Sequence, residues 1–103
     1  MVREAFRRNT FERDGHKCKM CGSEEDLAAH HITDRNEMPN GGYTTRNGIT
    51  LCPPCHLKAE QYHISGGETW EPGFHPDDLY KRISSSHADA LLASRRIGTW
   101  GLT

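Results

Sequence analysis

Three rhythms of apolar and polar positions run along this chain, and each predicts an element. Val2, Ala5 and Phe6 share one side of a helical repeat with Arg3 and Arg7 beside them, so residues 2 to about 13 read as a short helix. Asp14-Gly15 ends it as a turn. The apolar run Leu27 to Ile32 suits a strand, in which neighbouring side chains face opposite ways. His30 and His31 should therefore point apart unless the strand is ending. Asp34 to Thr45 is polar and holds Pro39, Asn40, Gly41 and Gly42, the composition of a loop or wide hairpin turn. A second short strand is predicted at Gly48 to Leu51. Pro53 and Pro54 preset the backbone for a helix that starts near Cys55, continues through Tyr62 and stops at Ser65-Gly66-Gly67. Beyond it, Pro76-Asp77-Asp78 reads as a helix start with acids at the positive end, and Arg95-Arg96 falls at the negative end. Leu79, Ile83 and Leu91 give this appendage, about 76–97, an apolar side that Ser84-Ser85-Ser86 divides in two.

Length changes the picture, because 103 residues of which 34% are apolar make one domain with a small core, and such a core needs a staple. Cys18, Cys21, Cys52 and Cys55 provide it, either as two disulfides or as one tetrahedral Zn²⁺ site. The paired two-residue spacing favours zinc: Cys18 and Cys21 are too close for a comfortable structural disulfide, yet both sulfurs can converge on one ion at about 2.3 Å. A redox CxxC does not normally come in duplicate. After the second ligand of the first pair, Gly22 permits a positive φ.

Charge is less directive. The net charge is −1 with histidines neutral, so global electrostatics do not argue for a nucleic-acid partner. Locally, six basic residues (Arg3, Arg7, Arg8, Arg13, Lys17, Lys19) face three acids between positions 3 and 19, enough excess for a few phosphate contacts. A solvated helix face is the plainer reading of each. No stretch approaches the ~20 apolar residues that span a bilayer and no secretory leader pattern opens the chain, so the expectation is a soluble protein, no membrane partner, and a cytoplasm that keeps thiols reduced.

The cysteine pairs enclose His30-His31, and the second pair runs straight into His56. Imidazoles between and beside the halves of a thiolate cage leave ligands for a second ion. The approach RDGHKCKMCG at 13–22, then HHI, Asn47 and LCPPCH, resembles an HNH endonuclease of the ββα-metal class over roughly residues 13 to 63. The resemblance implies an α+β fold, a two-stranded ribbon and a helix gripping one catalytic divalent cation within a zinc-stapled core, with flanking N- and C-terminal helices. It also implies hydrolysis of phosphodiester bonds in double-stranded DNA. By the same resemblance His31 is the general base, His30 and His56 bind the catalytic ion, and Asn47 serves catalysis by orienting the ribbon loop and the base. Strand alternation supports splitting the roles of His30 and His31 without saying which has which.

One departure stands out. Many relatives carry a further histidine four residues after the one in the Cys-His junction; here Glu60 occupies that place and the next histidine is His63. Side chains four apart on a helix can clasp one ion, whereas His63 is about 10 Å along the axis from His56, so Glu60 is the favoured third ligand and His63 the substitute. A carboxylate suits Mg²⁺ or Mn²⁺, and imidazoles tolerate Ni²⁺ or Zn²⁺. Arg3, Arg7, Arg8, Lys17 and Lys19 are the candidate DNA contacts. A monomer with one site should nick one strand per encounter, and a homodimer could cut both. The competing readings are a non-catalytic four-cysteine zinc module binding nucleic acid or protein, and a nuclease fold silenced by Glu60. His16 is placed beside the first knuckle, His75 and His87 on the surface, and Trp70 and Trp100 over the core.

Overall fold

The computed structural model describes residues 2–97. Helix α1 (Val2–Arg13) leads through the first cysteine knuckle into strand β1 (Ala28–His31). Single turns of 3₁₀ helix at Arg35–Glu37 and Thr45–Asn47, with a kinked turn at Pro39–Gly42 between them where Asn40 and Gly41 have positive φ, then carry the chain to β2 (Gly48–Leu51). Helices α2 (Pro53–Ile64), α3 (Pro76–Arg82) and α4 (His87–Arg95) follow. The strands pair antiparallel with Ala28 opposite Leu51, His30 opposite Ile49 and His31 opposite Gly48. A two-stranded ribbon followed by α2 against it is the ββα-metal arrangement expected from the sequence, with helices on both flanks. Among the described residues no helix is long and apolar enough to cross a membrane.

Boundaries differ where local chemistry overrides pattern. Helix α2 begins at Pro53, two residues before the expected start near Cys55, because proline lacks only an N–H that the first helical turn does not use. The segment between the strands is more ordered than a plain loop. Asp34 and Thr44 side chains accept from the Asn36 and Arg46 N–H groups (3.3 and 3.5 Å), and each such cap starts a turn. The serine run does divide the appendage: Ser84 has φ +54° and Ser86 caps α4 by accepting from Asp89 N–H at 3.0 Å.

Core burial shows which faces matter. Ile32, Ile49, Leu51, Ala59, Leu79 and Ala90 are almost fully enclosed together with three of the four cysteines. Helix α1 buries Phe6 and Thr10, leaving Val2 47% exposed on a face the apolar pattern had assigned to the interior. Trp70, expected over the core, is also 47% exposed and lies edge-on to His75 (4.8 Å between ring centres). Trp100 lies outside the described residues. The appendage packs on the ribbon's connecting loop, where Asn40 Nδ2 donates to the Ser94 carbonyl (2.9 Å) and Ser85 Oγ to the Arg46 carbonyl (2.9 Å).

Two devices press α1 onto the ribbon. Arg13 forms a forked pair with Asp14 (2.8 Å for both bonds) and donates onward to the Thr45 and Gly48 carbonyls, while Asp14 accepts from Thr50 N–H at 2.9 Å. Arg13 is therefore an internal clamp, although in sequence it counted toward the basic cluster. The second device is Gly48, where a Cβ would lie 2.7 Å from both Phe6 Cε1 and Thr10 Oγ1. Phe6 is 5% exposed and Thr10 fully buried, so neither can retreat cheaply. Gly48→Ala is expected to destabilise the fold by about 1–3 kcal/mol, read as a lower urea midpoint. An unchanged midpoint would mean that α1 is free to shift on the ribbon.

Candidate metal centres and active site

The first centre is built by two knuckles that meet at one end of the ribbon. Cys18 and Cys21 sit in a turn closed by Gly22 N–H donating to the Cys18 carbonyl (2.8 Å), with Gly22 at φ +83°. Cys52 and Cys55 span the step from β2 into α2. All four sulfurs lie within 4.8 Å of one another, and Cys21 Sγ is 3.4 Å from Cys52 Sγ. A tetrahedron of 2.3 Å bonds spaces its sulfurs about 3.8 Å apart, so the cluster has the dimensions of a Zn²⁺ site. None of the cysteines is in a disulfide. Burial pushes the Cys18 thiol up, but backbone N–H groups of Cys52, Cys21 and Met20 outweigh it and bring the thiol down to about 6. Amides aimed at a sulfur favour the thiolate, the form that binds metal.

A second donor group lies between β1 and α2. Strand alternation sends His30 inward toward α2, and the i, i+4 spacing of that helix places His56 and Glu60 on the facing side. One nitrogen from each histidine and a Glu60 oxygen lie within 4.8 Å of one another. Glu60 Oε1 is 3.1 Å from His30 Nδ1 and 3.1 Å from His56 Nε2. Yet His30, 2% exposed, has no aligned hydrogen-bond partner on either ring nitrogen. An orphaned buried imidazole beside a carboxylate is costly by itself and fits a divalent cation seated among the three groups. Electrostatics favour the same conclusion: burial lowers the His30 pKa, and the His30 ring holds the Glu60 carboxyl down at about 2. A neutral imidazole and an ionised carboxylate are the states that ligate metals.

His31 faces the other way, as alternation requires. Its ring stacks on Phe6 (4.5 Å between centres, 22° between planes) and meets the edge of Tyr43 at 4.8 Å. Because residue 48 opposite it has no side chain, Phe6 fills that space and becomes the floor under His31. Burial first, then the neighbouring His30 ring and the Arg35 guanidinium, which disfavour a second positive charge, push its pKa down to about 4. Its Nε2 is buried without a partner. At the strand end both histidines nevertheless border one cleft of about 280 Å³, shared with Asp34, Arg35, His56, Glu60 and His63.

Most of the remaining predicted residues lie outside this cleft. Asn47 is fully buried and outside it. Its Oδ1 accepts from Thr33 N–H (2.9 Å) and the Tyr80 hydroxyl (2.8 Å), and its Nδ2 donates to the carbonyls of Thr33 (3.0 Å) and Gly42 (3.3 Å). Gly42, at φ +64°, approaches so closely that a Cβ would sit 2.6 Å from Asn47 Nδ2. Asn47 thus pins the neck of the loop that follows His31. His63 donates from Nε2 to the His31 carbonyl (3.1 Å), outside the three-donor group. Arg3 and Arg7 border a groove beside the cleft, whereas exposed Arg8 and Lys17 and half-buried Lys19 border neither. His16 packs edge-on to Phe11 at 6.2 Å, and His75 Nδ1 caps α3 by accepting from Asp77 N–H at 3.0 Å. Arg35, which borders both the cleft and the groove, and Tyr43, which borders the groove, had been singled out by no motif; the sole sequence signal was a cation four positions after the histidine doublet.

Comparison with known proteins adds an independent line. The chain is 34% identical over 59 residues to the COX1/OXI3 intron 2 protein of Saccharomyces cerevisiae (strain ATCC 204508 / S288c), an alignment covering 48% of this chain and 7% of that protein's length. No solved structure matches. The family model described as HNH endonuclease matches residues 18–61, which run from the first knuckle through the histidine doublet and Asn47 into α2. By motif, fold and family model together, residues 18–61 are similar to an HNH endonuclease domain.

Proposed function

We propose that this protein is a metal-dependent endonuclease that hydrolyses phosphodiester bonds in double-stranded DNA and nicks one strand per encounter. The observation that carries the reading is His30, buried with neither ring nitrogen in an aligned hydrogen bond, facing His56 and Glu60 in a cleft that His31 also borders. Cys18, Cys21, Cys52 and Cys55 hold structural zinc, and His30, His56 and Glu60 hold a divalent cation, Mg²⁺ or Mn²⁺ by the carboxylate's preference for hard ions, with Ni²⁺ or Zn²⁺ as alternatives. When bound, such a cation neutralises charge on the phosphoryl oxygens and eases departure of the 3′ oxygen.

His31 does the proton work. With a pKa near 4 the ring is neutral at pH 7 and able to accept a proton from the attacking water. An entering phosphate brings negative charge against the ring and raises its proton affinity at the moment of need. Phe6 and Tyr43 fix the plane of the ring, and Asn47 fixes the loop behind it, so the acceptor is held in place before substrate arrives.

Zinc-loaded protein mixed with supercoiled plasmid tests the reading. Nicked circles should accumulate when Mg²⁺ or Mn²⁺ is added and should not form without it. Folded, zinc-loaded protein that leaves plasmid intact with Mg²⁺, Mn²⁺, Ni²⁺ and Zn²⁺ alike would instead support the non-catalytic zinc module. Linear plasmid formed without a nicked precursor by a monomer would contradict single-strand cutting.

A further inference from the structure

Beside the metal cleft runs a second cavity of about 360 Å³ that shares Ala29, His31 and Arg35 with it. The two form one channel past His31. One end carries the donor trio and the other carries Arg3, Arg7 and Arg35, a concentration of guanidinium groups in a chain whose net charge is −1. Arg3 comes from α1 and Arg35 from the loop after β1, yet both donate to one atom, the Tyr43 hydroxyl, at 3.2 Å from Arg3 Nε and 3.5 Å from Arg35 Nη1. Tyr43 is itself wedged edge-on against Phe6 and His31. Its ring thus ties the two guanidiniums to the plane of His31.

We infer that Arg35 and Arg3, set by Tyr43, form a phosphate-binding subsite that clamps the backbone phosphate next to the one being cut. The inference rests on the nuclease reading above and adds to it the direction in which the strand leaves the metal centre. Guanidinium forks match phosphate oxygens in pairs, and neither charge is neutralised by the tyrosine that orients it. Arg35 touches both cavities, so it stands where the scissile phosphate ends and its neighbour begins. Tyr43 is a positioning residue. In agreement, the Arg35 and Arg3 guanidiniums hold the Tyr43 hydroxyl below the ordinary phenol range.

Binding measured without chemistry separates this from a structural role. Full-length zinc-loaded protein, with no second cation added, is titrated into a short labelled DNA duplex at several salt concentrations. Arg35→Ala should weaken binding roughly tenfold and reduce the slope of log affinity against log salt by about 0.9, the signature of one lost phosphate contact. Arg35→Lys should restore the slope but only part of the affinity, because a point charge replaces the fork. Tyr43→Phe should cost a few-fold in affinity and leave the slope unchanged, since both charges remain. Arg82→Ala, which removes an exposed cation of α3 outside the channel, should leave both quantities unchanged. An unaltered slope in Arg35→Ala, or an equal loss in Arg82→Ala, overturns the subsite. If wild-type protein nicks plasmid while Arg35→Ala keeps its slope, the nuclease reading stands and the clamp alone fails; wild-type protein that neither binds nor nicks sinks both.

Discussion

Replacing His31 by alanine is expected to lower metal-dependent nicking by about 10²- to 10⁴-fold, the range set by loss of a positioned proton acceptor. Zinc content should stay at one equivalent, because none of the four sulfurs touches that ring. Stability will fall somewhat, since the stack on Phe6 disappears and aromatic pairs contribute about 0.5–1.5 kcal/mol beyond their burial. His31→Asn keeps a planar polar group of similar bulk above Phe6 and guards against a folding artefact. Both variants should bind DNA with the wild-type salt slope, because an imidazole that is neutral at pH 7 releases no counterions. Cleavage by a folded His31→Ala protein at more than a tenth of the wild-type rate would remove this residue from the chemistry.

Cys18→Ser, or removal of zinc by a strong chelator, should unfold the ribbon outright. Three of the four cysteines are enclosed in the same core as Ile49 and Leu51, so the metal would sit inside the only sizeable cluster of apolar packing among the described residues. Structural zinc contributes roughly 10–16 kcal/mol of apparent binding energy in small zinc domains, as much as or more than the ~5–15 kcal/mol by which a whole domain is stable. A serine at position 18 offers a harder, weaker donor and leaves three thiolates crowded without full compensation. Loss of far-ultraviolet helical signal on chelation, restored by zinc, is the expected result. A chelated protein that melts at the same temperature would show that apolar packing suffices.

The sequence was most informative where chemistry is local. A two-residue gap between cysteines constrains their sulfurs whatever the rest of the chain does, and the two knuckles met as that spacing required. Period-two alternation likewise sent His30 and His31 to opposite faces of β1, and α2 presented His56 and Glu60 together because four residues make about one turn. Patterning misled at Val2 and Trp70, which are each 47% exposed although their apolar character had assigned them to the interior. The turns at Arg35–Glu37 and Thr45–Asn47 escaped notice because each begins at one side-chain cap, a signal too short to register as a period.

By itself the order of residues determined the four-cysteine cage, the strand–strand–helix succession and the donors that face one another across it, since spacings of two, three or four positions act within a single turn or strand. Folding in three dimensions decided how those parts are aimed. Arg13 reaches carbonyls more than thirty positions away, Tyr80 reaches Asn47 across 33, and Tyr43 gathers Arg3 and Arg35 from separate elements. No periodicity encodes such meetings, because they exist only after α1 and the appendage have closed on the ribbon, and it is this closure that gives His31 a fixed plane beside the cleft.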